Sequence, residues 1–395
     1  MTGSRSDLHV VAAVGIGQTQ YSRHSGRSEW ALAIEAIDAA LADCGLGAAD
    51  IDGLVRYSYD NVDEAMLCRS FGFQLRYYSQ TGYGGLGAPS VLAHAYAAIA
   101  SGQASVVVCY RALNGRTGTR YGRAERSLGV DVEQLRARGD RAPSGAFAGP
   151  YGLLSPGQVM AMWARRYQWE SGATESELIS ALARLCVTQR AYAQRNPSAI
   201  MAGTPLDEAG YLAGRMIATP LRIYDLAVET DGAAAVVVTG AELAGRLAQP
   251  PVWISGSVQA MFAYAESISI YGELRNGPTY RAIGDRLLAD CRLTPADFSA
   301  AMIYDATSIS VLLGLEAFGF AAPGTAWRRL LDEGTDPGSS LPVNTSGGHL
   351  SEAYVHGINL VTEGIRQCRG HSTSQVARSG PVLVTSGPGA VVLEP

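Results

Sequence analysis

The chain has 395 residues, of which 47% are hydrophobic and 17% are charged, and it carries a net charge of −5. This composition supports a large buried core, and the length is sufficient for two fused domains. A mildly acidic chain lacks the concentrated cationic face that binding to a nucleic-acid backbone requires. We therefore predict a globular protein whose partners are small molecules or other proteins.

The sequence contains no signal for a membrane-spanning helix, a metal site or a lysine imine. No apolar run reaches the roughly 18 residues of a spanning helix, and Met1–Asp7 does not lead into an apolar signal core, so we predict a cytoplasmic location. The six cysteines show neither Cys-x-x-Cys nor zinc-ligand spacing, which predicts reduced thiols and no metal site. All 31 basic residues are arginines, so a lysine Schiff base is excluded.

The first part of the chain predicts strands that alternate with helices. In chain order, these are a strand at Val10–Ile16, an amphipathic helix ending at Cys44, a short strand reaching Tyr57, a helix at Ala88–Ser101 opened by the turn Gly84–Gly87, and a strand at Ser105–Tyr110. A closing strand at Gly232–Thr239 follows only after a long interruption.

That interruption, at about 111–219, is predicted to be an insertion on the scaffold. It holds predicted helices near Pro156–Trp169 and Thr174–Asn196, and eight arginines fall between Arg111 and Arg141. A long irregular segment of this kind is often functional. Two interpretations stay open for it: a solvated surface loop, or a contact for an anionic ligand or a protein partner.

The second part of the chain repeats the first. The segment Leu41–Ile51 recurs as Leu288–Phe298 at a constant offset of 247 residues. The same order of elements follows: a strand at Val252–Val258, a helix ending at Cys291, a strand reaching Tyr304, a glycine turn at Gly347 and Gly348 opening a helix through Ile365, and strands at Pro381–Thr385 and Gly387–Leu393. We predict an α/β fold of two halves, 1–245 and 246–395.

The segment Asn344–Gly357 reproduces, without a gap, a motif of the thiolases: Asn-x-x-Gly-Gly, four residues, then Gly-His-Pro-x-Gly. The chain thus resembles the thiolase superfamily, specifically its lipid-transfer-protein-like branch related to the sterol-carrier-protein thiolases. The resemblance covers nearly the whole chain and implies a duplicated five-layered αβαβα fold. The catalytic histidine of the motif falls on Tyr354.

The resemblance also shows which thiolase residues are missing. The nucleophilic cysteine of the family, at the N-terminus of a helix, falls on Gly84 or Gly85, and its second cysteine corresponds to the turn Thr385–Gly387. Cys109 follows on a predicted strand and is expected to pack rather than react. A thiolase-type acyl-enzyme is therefore not expected.

A second family histidine falls on Tyr304, which is followed by Asp305. Two catalytic histidines have both become tyrosines, which give and take protons. We predict Tyr304 and Tyr354 as the catalytic pair. The predicted substrate-binding or oxyanion region comprises Gly84, Gly85, Gly347, Gly348, Asn344, Asp305 and His349. Within it, a turn or supporting role is favoured for His349, while His356 is expected to point away from Tyr354 on a helix.

Without the acyl-accepting cysteine, a thiolase-like site can still stabilise an enolate but cannot transfer an acyl group. The resemblance implies retro-aldol cleavage of a β-hydroxyacyl-CoA, as in bacterial aldolases that convert a 17-hydroxysteroid side-chain thioester into a 17-ketosteroid and propionyl-CoA. It implies no cofactor besides the CoA of the substrate. It also implies a homodimer, and a heterotetramer with an OB-fold/zinc-ribbon subunit that is often fused to a hydratase.

Two other functions remain open at this stage. A non-catalytic acyl-CoA or lipid carrier on a thiolase scaffold would explain the lost cysteine but not the paired tyrosines. A condensing enzyme would need a nucleophile that the motif positions do not supply. A cavity of substrate size with both tyrosine hydroxyls at its wall would favour the aldolase, and tyrosines buried in packing would favour the carrier.

Overall fold

The computed structural model describes residues 8–82, 87–118, 120, 149–260, 277–387 and 389–395. The predicted features at Gly84 and Gly85, and the arginines from 123 to 141, lie outside the described residues. None of the described helices is long and apolar enough to cross a bilayer.

The first half contains the predicted elements in their predicted order, and in addition a helix at Glu64–Phe71 and a strand at Tyr77–Thr81 that were not predicted. Ser28 caps the first helix by accepting a hydrogen bond from the Ala31 N–H, and Gly45 ends it in a left-handed conformation. The elements are β1 (Val11–Gln18), α1 (Glu29–Cys44), β2 (Gly53–Tyr57), α2 (Glu64–Phe71), β3 (Tyr77–Thr81), α3 (Ser90–Ala100) and β4 (Val106–Asn114). Because β4 runs through Asn114, Arg111 lies on a strand rather than in the arginine-rich loop.

The insertion supplies two long helices, both close to their predicted positions. Each begins with a capping box, built on Ser155 and Gln158 in one and on Thr174 and Glu177 in the other. Its elements are α4 (Pro156–Ser171), α5 (Glu175–Arg195), α6 (Glu208–Ala213), β5 (Met216–Ala218) and β6 (Leu221–Arg222), after which β7 (Asp231–Gly240) and α7 (Ala241–Ala244) close the first half.

The second half contains one predicted helix that is divided in the structure, and two helices, at Ser308–Ala317 and Ala326–Asp332, that were not predicted. The helix predicted from the Gly347–Gly348 turn through Ile365 is two helices, because His356 and Gly357 adopt positive φ angles of 51° and 87° that a helix excludes. The elements are β8 (Val252–Gln259), α8 (Gly277–Cys291), β9 (Ala300–Ile303), α9 (Ser308–Ala317), α10 (Ala326–Asp332), α11 (Gly348–Ser351), α12 (Ile358–Arg369), β10 (Val382–Ser386) and β11 (Gly389–Glu394).

The sheet repeats its own order about its centre. The strands run in the order β3-β2-β4-β7-β1-β8-β11-β10-β9. Counted outward from the centre, the first-half strands β1, β7, β4 and β2 correspond to the second-half strands β8, β11, β10 and β9. The halves meet where Ala12 and Ala13 of β1 pair with Trp253 and Val252 of β8. This symmetry confirms the duplication predicted from the repeat.

Three apolar clusters fill the space between the layers of the fold. Alternate residues of the strands point to opposite faces: on β7, Ala233, Ala235 and Val237 pack outward with α1, while Ala234 and Val236 pack inward. The inward cluster contains α3 and α12 between the two sets of strands. The third cluster joins the second-half strands to α8, α9 and the insertion helices α4 and α5.

Candidate active site

Tyr304 is the first residue after β9, and an asparagine fixes the end of that strand. The Asn344 side chain accepts a hydrogen bond from the Ile303 N–H at 2.8 Å and donates to the Ile303 carbonyl at 2.9 Å. The Tyr304 N–H donates to the Thr385 carbonyl on β10 at 2.9 Å. These bonds hold the backbone of Tyr304 at the carboxyl end of the second-half strands.

The glycine turn is tied to the residue after Tyr304. Asp305 accepts hydrogen bonds from the backbone N–H groups of His349 at 2.9 Å and Leu350 at 3.3 Å. Gly347 and Gly348 have positive φ angles of 108° and 57°, and a Cβ at Gly348 would collide with the Asp305 carboxylate. Both positions therefore require glycine.

Tyr354 lies in the irregular segment between α11 and α12. Its N–H donates to Thr230 Oγ1 at 3.0 Å, and its backbone forms an isolated parallel bridge with Glu229. The break in the helix thus lets the segment pair with the chain just before β7. This pairing turns the Tyr354 ring towards Tyr304.

The two tyrosine hydroxyls are in direct contact, 2.8 Å apart, and their ring centroids lie 6.2 Å apart at an angle of 66°. Tyr304 is 8% exposed, whereas Tyr354 is only partly buried. Burial, reinforced by Tyr354, raises the pKa of Tyr304 well above its usual value. Tyr304 therefore stays protonated, and its hydroxyl can donate a hydrogen bond to the Tyr354 oxygen.

His349 packs against both tyrosines. Its ring makes edge contacts with Tyr304, at a centroid distance of 4.7 Å, and with Tyr354, at 5.0 Å. Burial lowers the pKa of His349 to about 3 and raises the pKa of the adjacent Asp305 to about 7. His349 Nδ1 lies 3.1 Å from Asp305 Oδ1. The imidazole that packs against the two tyrosines is therefore neutral at neutral pH.

Asp305 makes stability depend on pH in a defined direction. Its pKa is about 7 in the folded protein, against about 4 in an unfolded chain, so between these values only the folded state holds the proton. Its contribution is therefore fully present below about pH 4 and is lost as the pH rises through about 7, at up to roughly 1.4 kcal/mol per pH unit.

We expect Asp305→Asn to remove this slope. Urea unfolding of the wild type and the variant between pH 4 and 8 measures it, and the free energies of unfolding are compared at each pH. The nearby Glu352, whose pKa burial also raises to about 7, provides the comparison, because a slope lost in Glu352→Gln but kept in Asp305→Asn would contradict the assignment.

A buried row of polar groups behind Tyr354 was not predicted. The His356 ring contacts the Tyr354 ring at a centroid distance of 5.1 Å, which corrects the expectation that it points to another side. Arg111 donates to His356 Nδ1 from Nε at 3.2 Å, and its Nη1 bonds Asp60 Oδ1 at 2.5 Å. No spacing in the sequence connects these three residues, because their contact depends on the positive φ at His356.

Two cavities reach the tyrosine pair. The larger, of about 600 Å³, is walled by Tyr354, and the smaller, of about 160 Å³, by Tyr304. Met160 and Ala306 line both cavities. The larger one has mostly apolar walls and five arginines: Arg23, Arg116, Arg120, Arg190 and Arg215. Arg116 and Arg120 of the predicted arginine-rich segment thus face a cavity, where both pair with Glu229.

The cysteines do not supply a replacement nucleophile to these cavities. All six are free, and none is among the described residues that line either cavity. Cys109 is fully buried on β4, where burial raises its thiol pKa far above the usual value and Val91 accepts its hydrogen bond. Within the described ranges, no group of three or more His, Cys, Asp or Glu side chains is arranged to hold a metal.

Most of the predicted site residues come together, but with different surroundings. Tyr304 and Tyr354 reach the cavities, whereas Asn344, Asp305 and His349 are completely buried and bond or pack against neighbouring protein groups. Gly347 and Gly348 shape the turn between them. Contact of these five residues with substrate stays a prediction, as does the role of Gly84 and Gly85.

The duplicated sheet and the site define the class: a thiolase-fold protein in which two tyrosine hydroxyls meet. Residues 266–393 match the thiolase C-terminal domain-like family. The chain is 40% identical to 17-hydroxy-3-oxo-4-pregnene-20-carboxyl-CoA lyase of Mycobacterium tuberculosis, over 96% of both chains. It is also 40% identical to a steroid side-chain-cleaving aldolase of Thermomonospora curvata, over 96% of this chain and 95% of the relative.

A solved structure, the Ltp2-ChsH2(DUF35) aldolase, superposes with a TM-score of 0.87 and 37% identity, over 98% of each chain. The chain belongs to the family of these aldolases, the lipid-transfer-protein-like branch of the thiolase superfamily. The predicted five-layered fold and the predicted resemblance are both confirmed.

Proposed function

We propose that this protein is a carbon–carbon lyase that cleaves a 17-hydroxysteroid carrying a three-carbon CoA-thioester side chain, giving a 17-ketosteroid and propionyl-CoA. The observation that carries the proposal is the 2.8 Å contact between the Tyr304 and Tyr354 hydroxyls, with Tyr304 lining a cavity of about 160 Å³ and Tyr354 lining one of about 600 Å³. That volume is within the usual range for ligand sites, roughly 300–1,000 Å³. The two relatives that are 40% identical support the substrate class.

The pair accounts for the proton movements of the reaction. Tyr354, as phenolate, takes the proton of the 17-hydroxyl; the C17–C20 bond then breaks, forming the ketone and the enolate of the thioester. Tyr304 gives its proton to the α-carbon of that enolate. The hydrogen bond between the hydroxyls then returns a proton from Tyr354 to Tyr304, so the net change is one proton moved from oxygen to carbon.

The assignment of base and acid rests on burial. Because burial raises the pKa of Tyr304, its protonated form is favoured, and a protonated Tyr304 stabilises a phenolate on Tyr354 by donating to it. Tyr354 is also the tyrosine that lines the larger cavity. Neither a lysine imine nor a nucleophilic cysteine is needed for this sequence of steps.

The larger cavity suits an acyl-CoA of this kind. Guanidinium groups bind phosphate oxygens in a planar, two-donor geometry, and five arginines against one glutamate give the cavity an excess of positive charge. Its apolar walls, which include Ile217, Ile223 and Leu226, suit a ring system. We propose that CoA phosphates bind at the arginines and that the steroid contacts the apolar walls.

We also propose that the active form is an assembly. The solved relative is named as an Ltp2-ChsH2(DUF35) aldolase, and by analogy a homodimer of this chain would bind an OB-fold/zinc-ribbon subunit. No further cofactor is proposed, since the thioester itself provides the electron sink for the enolate.

The test is to incubate the protein, alone and with a DUF35 subunit, with 17-hydroxy-3-oxo-4-pregnene-20-carboxyl-CoA. Mass spectrometry then follows the release of propionyl-CoA and of the 17-keto product. We expect equimolar release of the two products. Tight binding of the thioester without cleavage, with the partner present, would instead identify a carrier.

A further inference from the structure

The row Asp60, Arg111 and His356 ends against Tyr354. Arg111 is 1% exposed and His356 is 3% exposed, so a charged group is held in the interior directly behind the ring of the proposed base. Asp60 Oδ1 accepts from Arg111 Nη1 at 2.5 Å and from the Ala112 N–H at 3.1 Å. Burying an arginine in this way is costly unless it is paired, and Asp60 provides that pair.

The hydrogen bonds determine the protonation of His356. Two guanidinium nitrogens, Nε at 3.2 Å and Nη2 at 3.1 Å, converge on its Nδ1. Arg111 only donates, so Nδ1 must be the acceptor, and the single proton of the neutral ring sits on Nε2.

The backbone supports the same arrangement. His356 has a φ of 51°, a conformation that few residues other than glycine adopt and that often marks a functional constraint. It turns the imidazole to within 5.1 Å of the Tyr354 ring, at an interplanar angle of 73°. A guanidinium that polarises this imidazole therefore brings positive potential towards Tyr354.

We propose that His356, held as its Nε2–H tautomer by the Arg111–Asp60 pair, is a positioning residue that orients Tyr354 and stabilises its phenolate. The inference deepens the proposed function and rests on it for the role of Tyr354.

Some of the other ionisable groups around Tyr354 keep one charge state or are paired, and two change charge near neutral pH. His349 is neutral, since burial lowers its pKa to about 3. Glu229, whose backbone bridges to Tyr354, is paired with Arg116 and Arg120, and Glu352 accepts from Asn196, Ser346 and Asn359. Asp305 and Glu352, each with a pKa raised to about 7, change charge near neutral pH. Burial raises the pKa of Tyr304 and of Tyr57 well above the usual value, so both stay protonated.

The testing variant is His356→Asn. Asparagine tolerates positive φ, and its Oδ1 can replace Nδ1 as the acceptor for Arg111, so mainly the ring and its Nε2–H are lost. We expect the rising limb of kcat against pH to move up by about one unit, the lower end of the shift caused by a nearby charge. Activity would fall about tenfold on that limb and recover at higher pH. His9→Asn is the control, because His9 bonds Glu394 at the opposite end of the strands.

A second readout needs no substrate. The tyrosinate absorbance lost in Tyr354→Phe identifies the titration of Tyr354, and its midpoint should be higher in His356→Asn than in the wild type. Arg111→Lys keeps a cation beside Asp60 but loses the two-donor contact, and should shift the midpoint in the same direction.

Unchanged midpoints in folded His356→Asn and Arg111→Lys would overturn the inference, as would a loss of kcat by the same factor at every pH. If the wild type cleaves no thioester but the absorbance midpoint still moves, the proposed function fails while the effect of His356 on Tyr354 stands.

Discussion

Tyr354→Phe is expected to reduce thioester cleavage by about 10²–10⁴-fold, the range for loss of a general acid or base, and Tyr304→Phe by a similar factor. Each variant removes one oxygen of a pair 2.8 Å apart and leaves the ring contacts with His349 in place. A loss of this size corresponds to about 3–5 kcal/mol of transition-state stabilisation. Single-turnover rates of propionyl-CoA release measure it.

Tyr192→Phe is the matched control. Tyr192 is 1% exposed and its hydroxyl donates to the Thr335 carbonyl at 2.8 Å, outside both cavities, so its loss should cost about 1 kcal/mol of stability and leave the rate unchanged. If either site variant kept near wild-type cleavage, that tyrosine would not be an acid or base. Because Tyr304 and Tyr354 act as a unit, the double variant should be little slower than the slower single one.

Arg111→Met is expected to lower the free energy of unfolding by about 3–5 kcal/mol, because removing one partner leaves Asp60 as an uncompensated buried charge. Both side chains of the pair are almost inaccessible, at 1% and 0%. Asp60→Asn in the same chain should restore part of the loss, since the remaining amide is neutral and can still accept from the Ala112 N–H. Chemical denaturation of the two variants and the wild type gives the three free energies.

Arg246→Met provides the comparison for this effect. Arg246 pairs with Glu242 at 2.8 Å, but both side chains are largely exposed, at 70% and 85%, and exposed pairs contribute little. Its stability should be indistinguishable from the wild type. A double variant Arg111→Met with Asp60→Asn that was no more stable than Arg111→Met alone would mean that packing of the arginine, rather than its charge, stabilises this region.

Much of the fold follows from local sequence. The repeated segment predicts both helix ends, at Cys44 and Cys291, as observed, because helix periodicity and the residues that end a helix act over a few neighbours. Period-two alternation on β7 divides its side chains between two apolar layers. The helix after Gly348 was predicted as continuous because its apolar pattern continues, while the break depends on pairing with Glu229, far away in the chain.

The repeat illustrates the same limit within the site. Tyr57 and Tyr304 are separated by the offset of 247 residues, and they lie at the ends of equivalent strands, Tyr57 as the last residue of β2 and Tyr304 as the first residue after β9. Tyr304 bonds Tyr354, whereas the Tyr57 hydroxyl is buried without a hydrogen-bond partner in the described structure. Local sequence places both tyrosines at the end of a strand, and contacts with residues distant in the chain distinguish them.

The sequence by itself determined the duplicated α/β scaffold, the missing nucleophile and the two tyrosines, because these depend on residue type and spacing along the chain. The tertiary structure decided that the hydroxyls touch, that Asp305 and His349 are buried beneath them, and that Arg111 and Asp60 meet His356. Those contacts join residues up to 245 positions apart, and burial, which sets their pKa values, arises only when the layers pack together.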